Sequence, residues 1–212
     1  NLRPLAGIPL VVRAVKAALK ADIASAVIVS TESLEIAEVA ERAGARIMLR
    51  PTELAVDTAS TEGVLLHALD VLAAEGAIPD WVMTLPPTSP FRKASTIAAF
   101  AAEAEKRPDD QDCLMSVTED RGDFWRKGNK DDAIVRLFPD APRRQQDREP
   151  LYEENSALYL TKTAALRKTG SILGNRVRGL PIDPLEAFDI NTEIDFRIAE
   201  AMADALPELA NV

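Results

Sequence analysis

The chain is 212 residues long, 47% apolar and 5% aromatic, with a single cysteine and a formal net charge of −9. Such a length and apolar content suffice for a core without disulfide staples, and the lone Cys113 excludes an internal bridge, while no CxxC or His/Cys cluster offers a zinc site. The negative balance excludes general affinity for nucleic acid; no apolar run reaches a membrane span and no cleavable leader opens the chain, so a cytoplasmic location with no membrane partner is the expectation.

Apolar residues at helical period over 10–19, with Pro9 suited to a first turn, predict a helix. The β-branched run AVIVS, residues 26–30, predicts a buried parallel strand. Residues 33–43 predict a second helix closed by Gly44, and Arg46–Leu49 a second strand. A polar loop, RPTELAVDTAS over 50–60, leads to a helix over 61–74 stopped by Gly76. A strand over 81–85 then runs into Pro86 and Pro87. After the loop PPTSPFR come a helix over 95–106 and a strand over 112–117, in which Cys113 reads as a buried core residue. This alternation predicts an α/β fold, a parallel sheet covered by helices on both faces.

Over residues 119–154 helical periodicity gives way to charged, Gly- and Pro-containing sequence with isolated aromatics, Phe124, Trp125, Phe138 and Tyr152. This reads as an inserted arm whose aromatics bury against a second copy of the chain, the alternative being a local hairpin subdomain. The sheet resumes over 157–160, a polar stretch reaches Ile182, and FDINTEIDF enters a last helix over about 192–205. Three parts follow: a first stretch of α/β core over 1–118, the arm over 119–154, and the rest of the core over 155–212.

Parallel sheets bind ligands beyond the carboxyl ends of their strands, which directs attention to the loops after Ser30, Leu49, Leu85 and Val117. Arg50 can make a charge-assisted contact to phosphate or carboxylate, and Ala59, Ser60 and Thr61 open a helix whose free N–H groups can hold an anion or a base edge. Ordinary capping by Thr58 or Ser60, with Arg50 solvated, is equally compatible with that loop. PPTSPFR is either a stiff turn or a rigid frame for a ligand. Asp189, Asn191 and Glu193 alternate, so an extended segment points their oxygens to one side, as a hard cation requires; capping by Asn191 or Thr192 is the alternative. Arg143, Arg144 and Arg148 concentrate positive charge in an acidic protein and suit a carboxylate or phosphate, unless they are merely solvated. His67, inside VLLHALDVL, reads as structural and takes no role.

Taken in order, NLRPLAGIPL, VIVSTES, LRPTELAVDTAST, LPPTSPFR, RRQQ, YEENSALYL and FDINTEIDF resemble the acylneuraminate (CMP-sialic acid) cytidylyltransferase family over nearly the whole chain. The resemblance implies a three-layer Rossmann-like nucleotide-diphosphosugar-transferase fold with a mixed, mostly parallel sheet. Residues 1–118 would be the nucleotide-binding core, 119–154 the exchanged arm of a homodimer, and 155–212 the part carrying the metal segment. It implies Mg²⁺-dependent transfer of CMP from CTP to a nine-carbon 2-keto sugar acid with release of pyrophosphate, in the supply of activated sugars for cell-surface glycans. Asp189 and Asn191 match the family's magnesium pair. Asn1, Arg50, Ala59 and Thr61 match positions around the cytidine, and Arg144, brought by the partner's arm, matches a position near the sugar.

The departures from the family pattern are also informative. Asn191 stands where many sialic acid enzymes have a second Asp, which removes a charge and is expected to weaken metal binding. Pro86 replaces a substrate-reading Gln, Glu153 and Glu154 stand where some members carry an arginine, and Ser156 replaces a common Gly. These direct the substrate expectation to the nonulosonic class at large: sialic, legionaminic, pseudaminic or deaminated acids. The family's first strand and its Gly/Lys/Arg-rich triphosphate loop are expected upstream of Asn1, the loop's final asparagine, so the stretch from Asn1 onward is expected to bind CTP weakly alone. The alternatives are a nucleotidyltransferase or sugar transferase of this fold with another sugar, or a catalytically degenerate binding protein.

Overall fold

The computed structural model describes residues 1–55, 60–106, 109, 111–128 and 133–210. A two-residue turn joins β1 (Pro4–Leu5) to β2 (Ile8–Pro9), with Ala6 at φ 47° and Gly7 at φ 77°. Left-handed conformation at both positions lets so short a loop follow the twist of paired strands. Pro9 precedes α1 (Leu10–Ala21), whose buried Leu10, Val11, Val15, Ala17 and Ala18 recur at helical period. β3 (Ile28–Thr31) and β4 (Arg46–Leu49) pair in parallel across the crossover helix α2 (Leu34–Arg42). Ser33 caps α2 by accepting from the Ile36 amide, and Gly44, at φ 101°, follows its end.

Next come α3 (Thr61–Ala74), β5 (Trp81–Thr84), α4 (Ala94–Lys106) and β6 (Cys113–Asp120). A hairpin of β7 (Trp125–Lys127) and β8 (Ile134–Arg136) precedes the long β9 (Leu151–Lys162). The chain closes with α5 (Thr163–Thr169), β10 (Val177–Pro181), α6 (Glu193–Ala205) and α7 (Pro207–Ala210).

The central sheet has the order β10-β6-β9-β5. β10 runs parallel to β6, whereas β9 is antiparallel to both its neighbours, so the sheet is mixed. β9 returns directly from the arm without a crossover helix, and a direct return reverses strand direction. Side chains along β6 and β9 alternate between two layers. Leu114, Leu158 and Leu160 pack with Ala17 of α1 and with Ile97, Phe100 and Ala104 of α4. Cys113, Met115 and Tyr159 pack on the other face with Leu65 of α3 and Ile172. Burial pushes the Cys113 thiol up to about 11, which keeps it protonated and unreactive. The β3–β4 pair forms a separate sheet, and α1 spans the two: Val11 and Val15 cluster with Val29 and Ile47, Ala17 and Ala21 with Trp81 and Met83. No helix among the described residues is long and apolar enough to cross a membrane.

The stretch before Ile182, read only as polar, contains α5 and the edge strand β10. α5 spans only 7 residues, too few for a periodic pattern to emerge. β10 contains Gly179 and Pro181, both poor strand formers, yet a Cβ at Gly179 would lie 3.1 Å from Val117, so its bare backbone is what lets the strand approach β6.

Candidate active site

Three sequence segments converge beyond the carboxyl ends of the strands. The loop after β5 is braced from within: Pro86 O accepts from Ser89 N at 3.3 Å and from Arg92 Nη2 at 3.2 Å. Arg92, 4% exposed, also donates to the carbonyl of Ala157 in β9, and burial pushes its guanidinium down to about 10 against the pull of Glu186. Arg13 Nε holds Pro90 O at 3.1 Å, so the loop is fastened to α1 as well.

The segment before α6 joins this loop through Ile190 N donating to Thr88 O at 2.9 Å. That bond places Asp189 and Asn191 beside the proline-rich loop, with Asn191 Nδ2 donating to Asp189 Oδ2 at 2.8 Å. Both side chains therefore lie on one side, as their alternation predicted. Capping by Thr192, the alternative reading of this segment, occurs too, completed by Asp195. The Thr192 hydroxyl accepts from Asp195 N, and Asp195 Oδ2 accepts from the amides of Asn191 and Thr192. These hydrogen bonds hold the Asp195 carboxyl below its usual range, the Thr192 side chain contributing most.

The amino-terminal hairpin meets the same corner. Arg3 Nη2 donates to Glu193 Oε1 at 2.9 Å, and the guanidinium lies 3.5 Å from the centroid of the Phe196 ring. Asn1 is exposed and its carbonyl accepts from Val11 N at 3.1 Å, which fixes it at the start of α1. Thr61 is the first residue of α3, and Ser60 caps that helix by accepting from Gly63 N at 3.1 Å. Ala59, together with Thr58, lies outside the described residues.

Arg50 is not simply solvated: one edge of its guanidinium is already paired. β3 and β4 end in register at Thr31 and Leu49, so the next residues, Glu32 and Arg50, emerge side by side and pair at 2.7 Å. Sequence reasoning missed Glu32 because only strand register places it there.

In the arm, Asp123 gathers most of the positive charge: Arg136 Nε lies at 2.7 Å, Arg143 Nη1 at 3.1 Å and Arg148 Nη2 at 3.4 Å. Arg136 above all keeps that carboxyl low in pKa. Arg144 is left pointing outward, 71% exposed, with a loose ion pair to Asp147 at 3.6 Å. The structure thus sets Asp189 and Asn191 beside the loop that Pro86 opens, places Asn1 at the start of α1, and leaves Arg144 on the arm.

On β9 the register slips between Met115 and Val117 of β6, and Asn155 anchors the bulge. Its Oδ1 accepts from Ser116 Oγ and from Ala157 N at 3.2 Å, and its Nδ2 donates to Thr118 Oγ1 at 3.0 Å. Ser156 takes up a left-handed φ of 58°, where glycine is at ease. The Tyr159 hydroxyl donates to Glu154, and burial followed by that carboxylate pushes the phenol up to about 12.

Among the described residues no group of three or more His, Cys, Asp or Glu side chains is gathered for a metal. Asp189 with the amide oxygen available from Asn191 is a hard-oxygen pair, which fits a magnesium ion that fills its remaining positions with water and substrate phosphates. A cavity of about 340 Å³ lies elsewhere, lined by Arg13, Phe91, Arg92, Lys93 and Leu209. Arg13 and Arg92 there are bonded to backbone carbonyls, although the buried Arg92 Nε has no partner among the described residues.

The sequence model of the family described as Cytidylyltransferase matches residues 1–205. A CMP-N,N'-diacetyllegionaminic acid synthase of Legionella pneumophila is 29% identical over 208 residues, covering 96% of this chain and 89% of the relative. An N-acylneuraminate cytidylyltransferase of Escherichia coli is 28% identical over 193 residues, which are 90% of this chain but 45% of that longer protein. Among solved structures, a CMP:2-keto-3-deoxy-manno-octonic acid synthetase complexed with CTP superposes with a TM-score of 0.64 at 13% identity, covering 97% of this chain and 92% of the other. A 4-diphosphocytidyl-2C-methyl-D-erythritol synthase of Anaerococcus prevotii gives a TM-score of 0.66 at 11% identity, covering 95% and 91%. These two share the fold. With the family model spanning nearly the whole chain, the protein belongs to the cytidylyltransferase family, as a nucleotidyltransferase similar to the N-acylneuraminate cytidylyltransferases.

Proposed function

We propose that the protein joins CMP from CTP to a nonulosonic acid of the sialic or legionaminic type, as a homodimer. The observation that carries the reading is the bond from Ile190 N to Thr88 O, which sets Asp189 and Asn191 against the rigid loop after β5. The name of the Legionella relative, a CMP-N,N'-diacetyllegionaminic acid synthase, supports a nine-carbon substrate.

In the reaction the anomeric hydroxyl oxygen of the 2-keto acid forms a bond to the α-phosphorus of CTP. The bond from that phosphorus to the bridging oxygen breaks, pyrophosphate leaves, and the hydroxyl proton passes to water. Asp189 and Asn191 would hold Mg²⁺, which supplies charge neutralisation to the phosphates. The chain's own contribution is alignment: a proline-braced loop and a fastened α6 start lose little freedom when substrate binds. Asn1, Arg50, Ala59 and Thr61 are assigned to the cytidine, and Pro86 to the sugar. Arg144, the outward arginine of the arm, is assigned to the partner's sugar acid.

The test is pyrophosphate release with CTP, Mg²⁺ and a panel of N-acetylneuraminic, legionaminic, pseudaminic and deaminated acids. Turnover of at least one acid, dependent on CTP and lost in Asp189→Ala, is expected. Silence with every acid overturns the reading.

A further inference from the structure

The nucleotide-side arginine carries a carboxylate before any ligand arrives. Arg50 N donates to Thr31 O at 3.1 Å, which fixes its backbone to the end of β3. Its Nε and Nη2 both meet one oxygen, Glu32 Oε2, at 2.8 Å and 2.7 Å. The pair is half-sheltered, the side chains being 23% and 35% exposed. Glu32 itself is held first by its own backbone N–H and then by Arg50, which keeps its carboxyl below the usual range. Both bonds use the Nε/Nη2 edge of the guanidinium, and among the described residues Nη1 has no partner.

Two physical consequences follow. An arginine side chain carries about 2 kcal/mol of rotamer entropy, and a fixed fork forfeits less of it on binding. A guanidinium already offset by a carboxylate also attracts a free anion weakly, while its N–H groups remain good donors to a neutral acceptor. The carbonyl oxygen and unprotonated ring nitrogen of cytosine are such acceptors, whereas uracil presents an N–H at the ring position.

We propose that Glu32 is a positioning residue of the nucleotide site: it holds Arg50 by its Nε/Nη2 edge so that Nη1 meets the acceptor edge of the cytosine base, and it offsets the charge that would otherwise capture inorganic phosphates. The inference rests on the reading of Arg50 as a cytidine-side residue.

Calorimetric titration of CTP, UTP and pyrophosphate into the wild type, Glu32→Gln, Glu32→Ala and Arg50→Ala proteins tests it. Glu32→Ala is expected to lose about tenfold in CTP affinity with the CTP-over-UTP preference shrinking toward one. Both Glu32 variants gain several-fold in pyrophosphate affinity, and Glu32→Gln, which keeps an acceptor, retains more of the base preference. Combining Glu32→Ala with Arg50→Ala adds nothing further, since the two act as one unit. A purely structural ion pair would not tighten pyrophosphate binding. Unchanged base preference and pyrophosphate affinity in both variants overturn the proposal alone, while a wild type that binds no nucleotide overturns the reading beneath it.

Discussion

The proposed magnesium pair turns on one atom of Asn191. Its amide nitrogen donates to Asp189 Oδ2, so the two side chains satisfy instead of repel each other. With Asp at both positions, two like charges would sit within hydrogen-bond distance, disfavouring the ion-free state and favouring a bound cation. Asn191→Asp is therefore expected to bind Mg²⁺ about tenfold more tightly than the parent, since ligand charge count tunes such sites. Magnesium titration by calorimetry measures this, and equal affinities would separate residue 191 from the metal.

At the scale of elements, a single buried arginine ties the chain's two ends to the site loop. Arg13, 2% exposed, serves Pro90 O, Leu5 O, Ala210 O and Leu209 O, so β1, the loop after β5 and α7 share one side chain. Substituting Met keeps the volume but strands carbonyls in a dry corner, each costing about 1–3 kcal/mol. Arg13→Met is expected to lower the denaturation midpoint sharply and to raise the KM for sugar acid before secondary structure is lost. A midpoint within error of the parent would show that water replaces the guanidinium. Sequence alone placed Arg13 in a helix but not inside the protein, because a charged residue in an amphipathic pattern reads as solvated. The alternating helices and strands were legible because their apolar periods reflect one buried face or two. The hydrogen-bonded pairing of Asp189 with Asn191 was legible from their alternation, whereas Pro86 was singled out only by the family resemblance. Glu32 was not, since its meeting with Arg50 depends on strand register 18 residues apart.

At the scale of the whole molecule, the arm decides where Arg144 acts. Arg136, Arg143 and Arg148 are consumed in folding the arm around Asp123, whereas Arg144 projects from it. Trp125, Ile134, Val135, Phe138 and Tyr152 stay exposed at 40–64%, more apolar surface than so small an element leaves uncovered without a partner. If the arm crosses to a second copy, Arg144 and Asp189 of different chains complete each site. Two inactive variants, Arg144→Ala and Asp189→Ala, then rescue one another. In a mixed dimer one site lacks both residues, and the other has Asp189 from the first chain and Arg144 from the second. Random reassociation at equal amounts makes half the dimers mixed, each with one intact site, so about one quarter of wild-type activity returns in a two-fold symmetric assembly. If Arg144 served its own chain, every site in the mixture would lack one residue and no activity would return. Adding Asp at both Ile134 and Phe138 should abolish the rescue and halve the mass seen in sedimentation, because charges buried at such a contact are not compensated.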